Sequence, residues 1–258
     1  MNVRICQLAP VAAVMALSLV GCSAPGLKDG DGEDMGNATL ADETANSLTA
    51  NSLTANSLTA NSLTANSLTA NALTDPAART VLKYIVGCAL PADTKLDIVI
   101  NGTSYSYAGQ LGLAPSWGID PGSSNGDGRN EGSCDSNCIA AVSSCVLARV
   151  NHLGQLVNLS VRGAKLLASA AEQAAYSNVD GTYYGNIFSS PQIRYACLPD
   201  GATELMRVCG PSLNGCVVTS QGHCSDVCNH WKGDGSYKSC SDAAQSYQSK
   251  APISVYLQ

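Results

Sequence analysis

Four residues in a short stretch carry side chains that bind metal ions: His223, Cys224, Cys228 and His230. Two imidazoles and two thiolates form many tetrahedral zinc sites, although such sites usually draw their pairs from two separated segments. In an exported chain, cysteines such as these more often pair as disulfides. The pattern therefore favours disulfides and no bound cofactor, with a metal site as the alternative.

A second pattern, Gly122-Ser123-Ser124-Asn125-Gly126, matches the Gly-x-Ser-x-Gly motif of serine hydrolases. That chemistry places the serine, here Ser124, on a sharp turn between a strand and a helix. The flanking Asp120-Pro121 and Asp127-Gly128 are turn formers, so the context favours a polar loop over a catalytic turn.

Glu172 is the third candidate, because it lies on an alanine-rich stretch just before the Tyr/Gly-rich segment 181–186. A glutamic acid in that position could act as a general acid in glycan cleavage, which also needs a second carboxylate. Asp180 and Asp200 are the conceivable partners. The alternative is a solvated glutamate on an amphipathic helix.

Cysteine is unusually frequent, with 12 residues in 258. Cys6 and Cys22 lie near the N-terminus, and an even ten follow further along the chain. An even number in about 180 residues predicts up to five disulfides in an oxidising compartment, without fixing the pairing. These ten are Cys88, Cys134, Cys138, Cys145, Cys197, Cys209, Cys216, Cys224, Cys228 and Cys240.

The N-terminal segment combines a positive charge at Arg4 with an apolar run from Leu8 to Val20, and ends in Leu19-Val20-Gly21-Cys22-Ser23. A run this short is typical of a signal peptide and not of a membrane-spanning helix. The last five residues resemble the lipobox of bacterial lipoproteins. The resemblance implies cleavage after residue 21, acylation of Cys22 and attachment to a membrane through the lipid. It further implies that Ser23 directs the protein to the outer membrane or cell surface.

Residues 22–44 form an acidic Gly/Asp-rich linker, and residues 45–74 hold six tandem pentapeptides, Ala-Asn-Ser-Leu-Thr five times and then Ala-Asn-Ala-Leu-Thr. A leucine at every fifth position makes no continuous stripe on a helix and alternates between the two faces of a strand. The repeats are therefore predicted to be a flexible stalk. A short pentapeptide solenoid that serves as an interaction element is the alternative.

The net charge of −6 resides mainly in the acidic linker that precedes the repeats, since Ser23–Asp75 carries seven acids against one lysine and all but Asp75 lie before residue 45. The remainder, from residue 76 onward, has 12 basic and 13 acidic residues. The absence of a basic stripe argues against nucleic-acid binding. Ten tyrosines and two tryptophans suit a surface that binds a protein or a glycan.

The elements that must position these residues lie in residues 75–258, predicted to be one cysteine-rich domain. Pro76 starts an amphipathic helix that ends near Gly87, and Asn101-Gly102 predicts a β-hairpin. Further helices are predicted over 136–152 and 164–176. Short strands are expected at 157–161, 182–188, 193–197, 205–209, 216–219 and 253–257. The fold class is therefore α+β, with N-terminal helices and hairpin and a C-terminal antiparallel, β-rich half held by disulfides.

Two functions are compatible with this organisation. The first is a lipid-anchored envelope protein whose domain binds a ligand or builds envelope structure. The alternative is a small secreted hydrolase acting on glycan or peptide. Paired carboxylates, or a nucleophile beside a histidine in one cleft, would favour the hydrolase.

Overall fold

The computed structural model describes residues 72–74, 76–114, 134–152, 157–163, 166–230 and 233–258. Residues 1–71 lie outside this part, and with them Cys22, the acidic linker and all but the end of the repeats. Ser124 also lies outside it.

The described residues form five helices and ten strands. The helices are α1 (Pro76–Ala89), α2 (Ser136–Ala148), α3 (Ala170–Ala175), α4 (Met206–Cys209) and α5 (Cys224–Val227). The strands are β1 (Lys95–Ile100), β2 (Thr103–Ala108), β3 (Ser160–Gly163), β4 (Asn178–Asn186), β5 (Ile193–Leu198), β6 (Thr219–His223), β7 (Cys228–His230), β8 (Tyr237–Ser241), β9 (Gln248–Ser249) and β10 (Ile253–Leu257).

The strands form three sheets. β1 and β2 form the predicted hairpin, in which Asn101 and Gly102 take the positive φ angles, 50° and 82°, of a tight two-residue turn. A five-stranded sheet has the order β3-β10-β4-β5-β6 and a small sheet the order β7-β8-β9. All pairs are antiparallel apart from β5 and β6, which run parallel. The α+β class with a β-rich C-terminal half is therefore confirmed.

The main core lies where α2 packs on the large sheet. α2 contacts β4, β10 and α1, and its residues from Ala141 to Ala148 are all buried. Asp135 caps this helix, because its carboxylate accepts a hydrogen bond from the backbone N–H of Cys138 at 2.8 Å.

The described part of the chain begins within the last pentapeptide. Leu73 is only 2% exposed and belongs to the main core. Arg79 fixes the backbone there, since its Nη1 donates to the carbonyl oxygens of Leu73 and Thr74 at 2.8 Å each. Leu73 of the final repeat therefore packs against the domain that follows it.

All ten cysteines of the domain are paired in five disulfides, which confirms the predicted staples. The Cys88–Cys145 bond joins α1 to α2, whereas Cys138, also on α2, bonds to the nearby Cys134. The remaining bonds are Cys197–Cys224, Cys209–Cys216 and Cys228–Cys240.

Several predicted elements are displaced or of another type. Residues 205–209 form the short helix α4 and not a strand, and the strand predicted at 216–219 lies at β6. In the helix predicted over 164–176, of which residues 166–176 are described, these residues are helical only at α3, capped by the Ser169 side chain. β3 is buried on both faces, so its alternation of polar and apolar residues does not separate solvent from core.

Candidate functional site

An open polar cleft of about 440 Å³ lies where α5 and β7 meet the segment that follows β8. Its volume is in the range of small-ligand sites in proteins. Eight residues line it: Ser225, Asp226, Val227, Cys228, Asn229, Ser241, Gln245 and Gln248.

Most of the lining side chains are hydrogen-bonding groups. Asn229, Gln245 and Gln248 supply amides, which both donate and accept, and the two serines supply hydroxyls. Among the lining residues, Asp226 is the one carboxylate. This composition fits a neutral ligand rich in hydroxyl or amide groups better than an ion.

The loop behind the cleft is held by Asp242. Its carboxylate accepts hydrogen bonds from the Ser246 hydroxyl and from the backbone N–H of Tyr247, at 2.9 Å for the latter. These bonds, that of Ser246 first, hold the pKa of Asp242 below its usual value. The same turn places Gln245 at a φ of 56°, a conformation that costs a non-glycine residue energy. The loop thus holds a lining residue in a strained but fixed position.

Beneath the cleft lies a second, small core of tyrosines and disulfides. The ring of Tyr195 contacts those of Tyr184 and Tyr247 edge to face, with 5.9 Å between centroids in each pair. The Tyr184 hydroxyl donates to the carbonyl of Ser241 at 2.8 Å, and burial raises the pKa of Tyr184. The buried sulfurs of Cys197, Cys224 and Cys240 complete this core.

The four metal-ligand candidates are placed in one region, but two of them are engaged. Cys224 bonds to Cys197, and Cys228 bonds to Cys240. The Nδ1 atom of His223 lies 3.2 Å from the carbonyl oxygen of Pro199. The ring of His230 packs on Tyr237 with 4.9 Å between centroids. In this oxidised state the two cysteines offer no thiolate to a metal.

Glu172 lies in a buried network and not in the cleft. It is 7% exposed, and one of its oxygens accepts a hydrogen bond of 2.5 Å from the Ser160 hydroxyl. Arg162 donates to the same hydroxyl oxygen at 2.9 Å and stacks on the ring of Tyr256, 3.6 Å from its centroid. Because its carboxylate is buried and hydrogen-bonded inside the domain, Glu172 has the surroundings of a structural residue.

The two conceivable partners of Glu172 bind elsewhere. Asp180 accepts hydrogen bonds from Arg207, at 2.7 Å from Nη2, and from the Tyr183 hydroxyl at 2.7 Å. Asp200 accepts one from the hydroxyl of Ser225, at the edge of the cleft. The three carboxylates thus belong to three different sets of contacts.

Buried arginines were missed by the sequence analysis. Arg207 is 4% exposed and also donates to the carbonyl of Val150 at 2.6 Å. Burial alone would lower the pKa of Arg207, but Tyr183 and Asp180 outweigh it and raise the pKa. Asp180 and Tyr183 therefore stabilise the charged form of Arg207 in the interior. The residues next to Arg207 in the sequence do not indicate that it is buried.

A second groove, of about 300 Å³, is more apolar and is bordered by Asp135 and Lys250. Its walls include Leu113 and Gly163, each of which is closely followed by residues outside the described part of the chain. The polar cleft is the candidate site because most of its lining side chains are hydrogen-bonding groups.

None of the described helices is both long and apolar enough to cross a membrane. Comparisons of the chain with known protein families, with curated proteins and with solved structures find no match. The cleft and its residues, and not a relative, are therefore the basis for assigning a function.

Proposed function

We propose that the chain is a lipid-anchored protein of the bacterial outer membrane or cell surface, whose disulfide-linked domain binds a glycan in the polar cleft. The observation that carries the binding role is the set of amide and hydroxyl side chains gathered in one open cleft. The anchor follows from the resemblance of residues 19–23 to a lipobox, with Cys22 as the acylated residue.

The pairing of all ten domain cysteines supports export. Disulfides persist in the periplasm and on cell surfaces, whereas the cytosol keeps thiols reduced. Stable attachment of a protein to a membrane through lipid needs at least two acyl chains, and the cysteine of a bacterial lipoprotein receives them.

The hydrogen-bonding character of the cleft favours a glycan over an apolar ligand. Sugars present a hydroxyl at nearly every carbon, and Asn, Gln and Ser side chains can both donate to and accept from them. The hydrolase alternative, for a glycan substrate, would need a second carboxylate beside Asp226, and the other lining residues supply none.

Anchoring is tested at Cys22. We expect Cys22→Ala to abolish incorporation of radiolabelled palmitate and to leave an uncleaved precursor, because the thiol that accepts the lipid is gone. Cys6→Ala is the matched control and should label like the wild type, since Cys6 lies in the segment that is removed. Undiminished labelling of the Cys22 variant would refute the anchor.

Binding is tested by cosedimentation of the lipidated chain, in mild detergent, with insoluble peptidoglycan sacculi. Asn229→Ala together with Gln248→Ala should weaken binding about tenfold or more, because each lost hydrogen bond contributes about 1 kcal/mol. Asn214→Ala removes an exposed amide outside the cleft and should bind like the wild type.

Two results would count against the glycan proposal. One is a wild-type chain that stays in the supernatant over the whole concentration range. The other is equal weakening by Asn214→Ala, which would place the contact outside the cleft.

A further inference from the structure

Two disulfides touch each other at the wall of the cleft. The Sγ atom of Cys197, bonded to Cys224, lies 3.5 Å from the Sγ atom of Cys228, bonded to Cys240. The sulfurs of Cys197, Cys224 and Cys228 all lie within 4.8 Å of one another. Among the five disulfides of the domain, this is the pair for which such a contact is seen.

The two disulfides differ in their access to solvent. Cys228 is half-buried and lines the open cleft, whereas Cys197, Cys224 and Cys240 are each at most 1% exposed. A thiol entering the cleft therefore meets the Cys228–Cys240 bond first. The Cys197–Cys224 bond is buried, and its Cys197 sulfur is in contact with Cys228.

We propose that these four cysteines form a thiol–disulfide relay, in which reduction of Cys228–Cys240 by an external dithiol is passed to the buried Cys197–Cys224 bond. The dithiol gives two electrons and two protons, becomes a disulfide and leaves Cys228 and Cys240 as thiols. The Cys228 thiolate then attacks Cys197 Sγ, so that a Cys197–Cys228 bond forms and the Cys197–Cys224 bond breaks. Cys224 leaves as a thiolate and takes up the proton that Cys228 lost.

The relay would change the cleft itself. Cys228 and Cys240 are directly paired across β7 and β8, and their neighbours Asn229 and Ser241 line the cleft. After the exchange a disulfide ties β7 to β5 through Cys197, and no disulfide joins β7 to β8. The cleft thereby becomes sensitive to the thiol state of its surroundings.

The proposal is tested with Cys240→Ser in the full-length chain, which removes the disulfide partner of Cys228 and so supplies its thiol without any added reductant. At pH 8 we expect the Cys197–Cys228 bond to form and Cys224 to become the residue that iodoacetamide alkylates. At pH 5 exchange should be about a thousandfold slower, because its rate falls tenfold for each pH unit below the thiol pKa.

Cleavage before aspartate separates the possible products, because it places the four cysteines in four peptides. Cys197 lies in residues 180–199, Cys224 in 200–225, Cys228 in 226–233 and residue 240 in 234–241. Mass spectrometry of the unreduced digest then shows whether peptide 180–199 is linked to 200–225 or to 226–233.

Cys228→Ser is the matched control, since it leaves the buried Cys240 as the free thiol. In this variant Cys197–Cys224 should stay intact at both pH values. Should either variant fail to fold, the wild type treated with one equivalent of dithiothreitol gives the same readout. There, the Cys197–Cys228 link should appear together with alkylated Cys224 and Cys240.

A Cys240→Ser chain that keeps Cys197–Cys224 at pH 8, with Cys228 as the alkylated residue, would overturn the relay. The wild type treated with one equivalent of dithiothreitol would also overturn it, if either Cys197–Cys224 or Cys228–Cys240 is reduced and no Cys197–Cys228 link appears. Neither result would contradict the lipid anchor or the binding of a glycan, because those two proposals are tested separately by lipid labelling and by cosedimentation.

Discussion

Replacing Arg207 with Met is expected to lower the free energy of unfolding by about 3–5 kcal/mol, because it leaves a buried carboxylate without its cation. The side chains of Arg207 and Asp180 are 3% and 5% exposed, so water cannot take the place of the lost partner. Methionine keeps much of the volume, and the cavity left behind contributes little to the loss. Urea denaturation measured by circular dichroism gives the effect as a lower midpoint.

The pair Lys95–Asp97 provides the matched control. It has a similar N–O distance, 3.1 Å, but both side chains are more than half exposed. We expect Lys95→Met to leave the midpoint of unfolding unchanged, since exposed ion pairs contribute little.

A double variant separates loss of the pair from loss of packing. In Asp180→Asn with Arg207→Met neither position carries a buried charge, so part of the stability should return relative to Arg207→Met alone. If the single Arg207 variant unfolds at the same midpoint as Lys95→Met, the ion pair does not stabilise the fold.

The sequence allowed prediction of those elements whose signal is local. Asn101-Gly102 between two alternating runs specifies the β1–β2 hairpin, and the apolar spacing after Pro76 specifies α1. β10 is found at the predicted 253–257, because Ile253, Val255 and Tyr256 are β-branched or aromatic and fit a buried strand.

Tertiary contacts decided the elements that were predicted incorrectly. α4 spans only Met206–Cys209, too short for a helical period to show, and the buried Arg207 lies on it. Arg162 is 3% exposed, because the loop that carries Asp234 and the ring of Tyr256 cover it. Nothing in the residues around either arginine indicates a partner that lies far away in sequence.

The candidate site could not be predicted from the sequence, for a similar reason. Asn229, Gln245 and Gln248 are single polar residues in turn-rich stretches, which by themselves indicate only exposed loops. Their convergence depends on the disulfides that close this region, and the connectivity of ten cysteines is not encoded in their spacing. The cysteines themselves were predicted, but the contact between two of their bonds was not.

The second large effect on the free energy of unfolding is expected when a disulfide that closes a long loop is removed. Cys88 and Cys145 are 57 residues apart, and their bond joins α1 to α2 through the main core. Cross-linking a loop of that length restricts the unfolded chain by about 4 kcal/mol at 25 °C, whereas a loop of four residues accounts for about 2 kcal/mol. Cys134–Cys138 closes a loop of that shorter kind, with a separation of 4.

We therefore expect Cys88→Ala with Cys145→Ala to unfold at a clearly lower urea concentration than Cys134→Ala with Cys138→Ala, by about 2 kcal/mol in free energy. Alanine is used because a serine hydroxyl at the fully buried positions 88 and 145 would add the separate cost of an unpaired polar group. Measuring both double variants in the same oxidising buffer keeps the other four disulfides constant. Equal losses in the two variants would mean that the native contacts around each bond, and not the length of the loop it closes, determine how much it stabilises this domain.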